Sequence, residues 1–347
     1  MPKTIRIGVI GAGANTVLHH IPKLQAQPDV EIVGVVNRTR SSGERVSKQF
    51  GIPRVYEHWQ AAVEDADTDA IVIGTWPYLH APISMAGLRA GKHVMTEARM
   101  ACNATEARAM LEAARARPDL IAQIVPAPMS LGVDRTLKRL LTESWLGRLL
   151  LIEHSATVPF PEPEPAWHWR KDRALSGLNI GMLGIVYEMI MRWAGEATSV
   201  TAMTRTFMPH LRDEQGRQHI TTVPDHVDVL AEMAGGAQLH LQQSCATTMR
   251  SDSGTWLHGT EGVLRFHDGA LFGAQAGDEA LRAIEIPDHE RGGWRVEEEF
   301  IQAIRGEESI THTRFEEGVK YMDFVEAVSR SAASGQRISL PLWPAGI

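Results

Sequence analysis

A doubly wound parallel sheet followed by an α+β domain with a large open, mostly antiparallel sheet is the fold class the sequence predicts. Three observations carry it. Short Val- and Ile-rich runs alternate with helical windows through the first third, the pattern of βαβ units. A glycine loop, Gly11-Ala-Gly13, follows the first run and opens a helical window. After Pro126, strand patterns succeed one another with few helices between them, as antiparallel sheets do. The chain of 347 residues is long enough for two domains, expected at 1–125 and 126–347, with the final helices free to pack back on the first domain.

In the first part, 5–10, 31–36, 70–74, 93–96 and 120–125 read as strands. The first and third are nearly continuous apolar runs, as strands covered on both faces are. Helical windows fall at 17–25, 42–50, 82–90 and 105–116. In the second part a helix is expected around 134–143, a strand at 149–157, an extended loop over the four-proline segment 158–165, and a helix at 180–193. Strands then recur near 199–207, 227–232, 238–244, 254–259, 262–267 and 281–286. Helices near 295–305 and 316–331 close the chain.

The charge balance, 35 Lys+Arg against 42 Asp+Glu, gives no basic footprint for nucleic acid. No run approaches the length of a membrane helix, and the N-terminus enters a strand pattern without a signal-type apolar block. Cys102 and Cys245 are too few for a disulfide framework. The histidines lack metal-ligand spacing, so no metal is expected. These features suggest a cytoplasmic protein with a small-molecule substrate.

Gly11, Gly13, Ala14, Asn15 and Thr16 form the dinucleotide-binding candidate. The first glycine permits a tight turn, the second lets the backbone approach a pyrophosphate, and the helix start offers amide donors. Thr16 stands where Gly or Ala usually packs helix on strand. The end of the second strand should read the ribose. An Asp or Glu there would bind a free 2′-hydroxyl, but Asn37-Arg38-Thr39-Arg40 stands instead. Two guanidinium groups and two hydroxyls, those of Thr39 and the following Ser41, suit a 2′-phosphate, so NADP(H) is favoured over NAD(H).

The sequence resembles the glucose–fructose oxidoreductase / inositol dehydrogenase / rhizopine catabolism (Gfo/Idh/MocA) family over nearly its whole length. Gly11-x-Gly13-x-x-Thr16-x-x-His19 resembles the family's opening loop. Thr75-Trp-Pro-Tyr-Leu-His80 stands where the family has Thr-Pro-Asn-x-x-His, and Gly91-Lys-His-Val94 with Glu97-Ala98-Arg99 stands for Gly-Lys-His-Val and Glu-Lys-Pro. Trp169-Arg170, Ser176-Gly177 and Gly259-Thr-Glu-Gly262 are similar to later landmarks. The resemblance implies a Rossmann domain and a substrate domain whose open sheet often forms an oligomer interface, here a dimer or tetramer. It also places Thr75, Trp76, Pro77, His80, Glu97 and Ala98 beside the cofactor. The departures fall on the chemistry. The family's lysine aligns with Ala98 and its proline with Arg99, and the Asp-x-Gly-x-His pattern aligns with Met182-Leu-Gly184-Ile-Val186. Ala, Met and Val offer no group to take a hydroxyl proton.

Substitute acid/base candidates are therefore His80, His168 and Tyr187. His80 follows a strand at the ligand-binding end of the sheet, or else braces its loop. His168 lies in Trp167-His168-Trp169-Arg170, either a stacking wall for a ring or a loop pinned by tryptophans. Tyr187 sits one residue past Val186, about 100° around an ideal helix, with a core hydrogen bond as the alternative. Arg99, Trp167, Trp169, Arg170, Met182 and Val186 are the substrate-binding candidates. The reading is an NADP(H)-dependent oxidoreductase acting on a sugar, cyclitol or related hydroxylated ring, with non-standard acid/base residues. The alternative is a redox-silent sensor of a dinucleotide or metabolite on the same fold.

Overall fold

The computed structural model describes residues 4–159, 166–247 and 253–343. The chain divides into two compact units, Met1–Pro126 with Arg295–Val319, and Ala127–Trp294 with Lys320–Ile347.

In the first unit six parallel strands are β1 (Ile5–Ile10), β2 (Val30–Val36), β3 (Arg54–Val55), β4 (Ala70–Ile73), β5 (His93–Thr96) and β6 (Ala122–Ile124), in the order β3-β2-β1-β4-β5-β6. This order reverses direction between β1 and β4, the switch point where doubly wound sheets bind ligands. β1 and β4 are buried almost throughout, as their apolar runs require. The helices are α1 (Ile21–Gln25), α2 (Arg40–Phe50), α3 (Trp59–Glu64), α4 (His80–Arg89) and α5 (Ala104–Arg115). Thr39 caps α2 by accepting from the Ser42 amide. Asn103 caps α5, while Glu106 reaches back to the Cys102 amide, a variant of the reciprocal capping box. A π-helical turn at Thr16–His20 precedes α1, where the 17–25 window predicts one regular helix.

In the second unit the strands are β7 (Leu149–Pro159), β8 (Ala197–Arg205), β9 (His210–Arg212), β10 (Gln218–Ile220), β11 (His226–Met233), β12 (Gln238–Thr247), β13 (Gly254–Gly259), β14 (Gly262–His267), β15 (Ala270–Gln275), β16 (Arg282–Ala283) and β17 (Ile338–Ser339). Nine of them form one sheet in the order β16-β15-β14-β13-β7-β12-β11-β8-β17. β7 and β12 run parallel, and the other pairs are antiparallel. The helices are α6 (Asp134–Thr142), α7 (Arg173–Ser176) and α8 (Leu183–Ala194). Trp193 of α8 meets Phe266 of β14 edge-on, with centroids 5.5 Å apart. The closing helices are α9 (Val296–Arg305), in the first unit, and α10 (Phe315–Ser334), within which the division falls.

Several expectations change. Of the proline segment, 158–159 finish β7 because Pro159 still pairs with Thr247, and 160–165 lie outside the described residues. The 281–286 strand shrinks to β16, two residues pairing with Phe272 and Gly273. β3, α3, α7, the β9–β10 hairpin, β15 and β17 are additions.

Candidate functional site

At the switch point of the first unit a cavity of about 570 Å³ is lined by the glycine loop, the end of β2 and the turn after β4. Gly11 has φ +87°, and a Cβ there would fall 2.7 Å from the Thr75 amide nitrogen, so no other residue closes this turn without strain. Thr16 takes the third-glycine place by facing another glycine. A Cβ at Gly74 would fall 2.1 Å from Thr16 Oγ1, which donates to the Gly11 carbonyl at 3.2 Å. Asn37 ties the end of β2 to the loop, accepting from the Ala12 amide at 2.6 Å.

Of the cofactor candidates, Gly11, Gly13, Asn37, Arg38, Thr39, Thr75 and Trp76 line this cavity. The Arg38 guanidinium lies 5.0 Å from the Trp76 ring centroid, a cation–π arrangement. Ala14, Asn15, Thr16, Pro77, Glu97 and Ala98 are not among the lining residues. Arg40 is not either, because it pairs with Glu44 at 2.9 Å on the exposed side of α2. Arg45, one helical turn further, does line it. Nothing in the run at the end of β2 points to Arg45, whose place on this wall depends on how α2 packs beside β2. The cavity fits a dinucleotide. It has a glycine turn that a Cβ would fill, and the buried Thr75 hydroxyl has no hydrogen-bond partner.

Beside the loop lies a buried ionic cluster. His20 Nδ1 is 2.6 Å from Glu297 Oε1 and its Nε2 is 2.9 Å from Glu97 Oε1, and Asn15 donates to the same Glu97 oxygen. Burial alone would lower the His20 pKa, but hydrogen bonds to Glu297 and Glu97 outweigh it and raise it to about 9. Glu97 is pulled the other way. Burial would raise its pKa, yet His20 and Asn15 hold it below the ordinary carboxylate value.

Two of the acid/base expectations meet geometry that opposes them. His80 is buried, with Nδ1 and Nε2 each 2.9 Å from a backbone carbonyl, those of Arg99 and Thr75. Both ring nitrogens are thus spent bracing the loop, and burial lowers its pKa. Tyr187 is a core residue. Its hydroxyl accepts from the Ala197 amide at 2.7 Å, its ring stacks on Phe324 at 3.6 Å, and burial raises its pKa. Arg99, expected against substrate, is only 3% exposed inside the first unit, and the Ala98–Arg99 peptide bond is cis.

In the second unit a cavity of about 450 Å³ is lined by Met182 and Val186, together with β7, β12, β13 and β14. Trp167, His168, Trp169 and Arg170 are not among its lining residues. Trp167 stacks on His219 with centroids 4.6 Å apart, and the Arg170 guanidinium lies 4.2 Å from the Trp169 centroid. The exposed His168 caps the short turn that follows it, accepting from the Arg170 amide at 3.3 Å. Burial, with Arg170 and Lys171 nearby, lowers its pKa. The run is therefore a self-packed loop whose end, Lys171, reaches the cavity. His154 and Gln243 also line it, and neither is a site candidate from the sequence. Glu188 is occupied by the Ala127 amide and Arg192. Cys102 is buried, which pushes its thiol up to about 12 and leaves it unreactive. Among the described residues no group of three or more His, Cys, Asp or Glu side chains could hold a metal. None of their helices is long and apolar enough to cross a membrane.

Residues 5–123 match the model of an oxidoreductase family with an NAD-binding Rossmann fold, and residues 135–265 match the C-terminal domain model of the same family, GFO/IDH/MocA. Levoglucosan dehydrogenase of Pseudarthrobacter phenanthrenivorans is 22% identical over 320 residues, covering 85% of this chain and 80% of the relative. Trans-1,2-dihydrobenzene-1,2-diol dehydrogenase of Oryctolagus cuniculus is 28% identical over 261 residues, covering 75% and 73%. Among solved structures, levoglucosan dehydrogenase in complex with NADH and L-sorbose superposes with a TM-score of 0.83 at 21% identity, covering 97% of this chain and 99% of that one. A Kribbella flavida oxidoreductase domain protein gives a TM-score of 0.84 at 20% identity, covering 98% and 100%.

Proposed function

Because the chain belongs to the Gfo/Idh/MocA family of oxidoreductases, we propose that it interconverts a carbinol and a carbonyl on a sugar or related hydroxylated ring, using NADP(H) in preference to NAD(H). It is an NAD(P)-dependent oxidoreductase. The relatives named for levoglucosan and for a dihydrobenzene diol support the substrate class.

The observation that carries the cofactor preference is the end of β2. The position that would read a free 2′-hydroxyl is Asn37, already committed to the Ala12 amide, and Arg38 and Arg45 both line the cavity just beyond it. Thr39 and Ser42 stand with them, while Glu57 is the one carboxylate on that wall. A bound nicotinamide would supply the hydride acceptor or donor. The chain's own part is to seat the pyrophosphate against the Gly11–Gly13 backbone and the 2′-phosphate against the guanidinium groups.

Titration with NADPH and NADH, followed by energy transfer from tryptophan, tests this. Arg38→Ala and Arg45→Ala should each weaken NADPH binding by about 10-fold, as loss of a charged hydrogen bond does, and leave NADH within about 2-fold. Equal losses for both nucleotides would refute the 2′-phosphate assignment. Tight dinucleotide binding without turnover on any ring alcohol would instead favour a sensor.

We also propose a homo-oligomer, a dimer or tetramer. Outward positions of the nine-stranded sheet carry Met203 at 61% and Leu230 at 49% exposure, with Trp256 stacked on His258 nearby, a surface suited to a second copy. Light scattering should give a multiple of the 38.3 kDa chain. A monomer at micromolar concentration would refute it.

A further inference from the structure

The cavity of the second unit, about 450 Å³ in volume, lies in the size range of small-molecule sites. Its lining includes five titratable side chains with charge to consider, His154, Lys171, Asp225, His267 and Asp268. Four of them are already accounted for. Burial lowers the His154 pKa to about 4, so that ring is neutral near pH 7. The Asp225 carboxylate accepts the Phe207 and Met208 amides at 2.9 Å each. His267 Nδ1 lies 2.5 Å from the Ser253 carbonyl oxygen, and its Nε2 lies 3.4 Å from Asp268, whose side chain is 90% exposed.

Lys171 remains. Its ammonium makes no hydrogen bond or ion pair among the described residues. Its backbone is nevertheless held in place. The amide donates to the His168 carbonyl at 2.8 Å, and the carbonyl accepts from the Thr222 and Val223 amides at 2.9 and 3.3 Å. Asp172, next in the chain, is engaged elsewhere, accepting from the Ala174 amide at 2.9 Å. Much of the remaining wall is carbon, from Met129, Ile180, Met182, Val186, Met189 and Phe266. A cation beside such a wall attracts an anion more strongly than it would in open solvent. The half-buried Ser155 lines the same cavity and offers a hydroxyl that can both donate and accept.

We propose that Lys171 binds a carboxylate, so that the hydroxylated ring this cavity takes is an acidic one, a uronate or a polyhydroxylated ring carboxylate. The inference rests on the oxidoreductase reading above and narrows its substrate class. The Lys171 ammonium donates to a carboxylate oxygen, a charge-assisted hydrogen bond. A ring hydroxyl meets Ser155, and the C–H faces of the ring lie against the thioether and phenyl side chains. The lining holds one free ammonium and no guanidinium. That matches the single charge of a carboxylate better than the higher charge and several acceptors of a phosphate. A neutral ring with a hydroxymethyl group in place of the carboxylate leaves the ammonium without its partner, and binds more weakly.

Two matched pairs serve as probes on the full-length protein, methyl β-D-galactosiduronate with methyl β-D-galactoside, and quinate with its methyl ester. Calorimetry without nucleotide compares each acid with its neutral partner. At least one acid should bind about 10-fold or more tightly than its partner, the worth of one charged hydrogen bond. Lys171→Met should bring that acid down to the affinity of the neutral compound. Neutral members that bind as tightly as both acids would overturn the proposal, as would an acid preference that survives Lys171→Met. Absence of binding by both acids would overturn it too. Reductive methylation of the wild type, mapped by peptide mass spectrometry, decides the matter if the variant fails to fold. The acid at about ten times its Kd should slow Lys171 methylation by about 10-fold, and an unchanged rate would overturn the assignment. Initial rates with NADP⁺ and NAD⁺ separate the two readings. Oxidation of neutral ring alcohols with no preference for the acids would overturn this inference and leave the oxidoreductase reading standing. Failure to bind either dinucleotide would remove that reading, while the acid titration would still report on the cavity.

Discussion

His20→Ala should destabilise the first unit by about 3–5 kcal/mol, the usual cost of removing one partner from a buried ion pair. His20 and Glu297 are each 1% exposed, so the substitution takes the imidazolium away from a buried Glu297 and a part-buried Glu97. A thermal melt should show the loss as a fall in Tm on the order of ten degrees. The wild-type protein should show the same cluster through pH. The folded pKa of His20, about 9, lies above its ordinary value of 6.5, so the folded state holds the proton more tightly. That contribution is complete below about pH 6.5, is lost as pH rises toward 9, and is gone above it. A shift of this size corresponds to roughly 3 kcal/mol. His20→Ala should therefore flatten the alkaline limb of the stability curve. A variant that keeps the wild-type slope between pH 7 and 9 would show that His20 is not the titrating group. Since Asn15 shares the Glu97 oxygen, the cluster also fixes the start of the helix behind the glycine loop, and dinucleotide affinity should fall with stability.

That cluster shows what a single sequence conceals. Glu97 is legible as a family landmark, whereas nothing in the sequence singles out His20. Glu297 lies 277 residues away from His20, and no local period joins them. Local patterns carried five strands of the first unit and their parallel arrangement, because βαβ connections leave few topologies and each of the five announces itself by an apolar run, which β3 (Arg54–Val55) does not. They failed at α3, which His58 caps in place of Ser, Thr, Asp or Asn. They failed again at β15, where Gly273 breaks the alternation. At the candidate site the misses share one cause. His80 and Tyr187 were selected for chemical capacity, whereas their roles are decided by which partners burial supplies, backbone carbonyls for one and the Ala197 amide for the other. His154 is one of the scattered histidines that lack metal-ligand spacing. Its place beside Gln243 depends on the β7–β12 register, which nothing local in the sequence encodes.

Gly11→Ala and Gly13→Ala should separate folding from binding within one loop. At Gly11 the backbone lies at φ +87°, and an added Cβ would fall 2.7 Å from the Thr75 amide nitrogen and 2.8 Å from the Gly74 carbonyl carbon. These are backbone atoms at the end of β4 and cannot swing aside. The left-handed conformation alone costs about 1–2 kcal/mol for a residue with a Cβ, and the overlap adds about 1–3 kcal/mol. Gly11→Ala should therefore lower the melting temperature and abolish dinucleotide binding together. Gly13 has ample room, since an added Cβ would come no nearer than 3.6 Å, to the Gly74 carbonyl oxygen. Gly13→Ala should leave stability within about 0.5 kcal/mol, as an unstrained surface change does. Its effect should appear only where a pyrophosphate needs the backbone to approach. NADPH affinity should then fall by at least about 10-fold, near 1.4 kcal/mol. Normal NADPH affinity in a stable Gly13→Ala protein would mean that the phosphates do not rest on this loop. The Arg38 and Arg45 assignment would lose its anchor with it, because both residues are placed for a 2′-phosphate only when the pyrophosphate sits at the β1 turn.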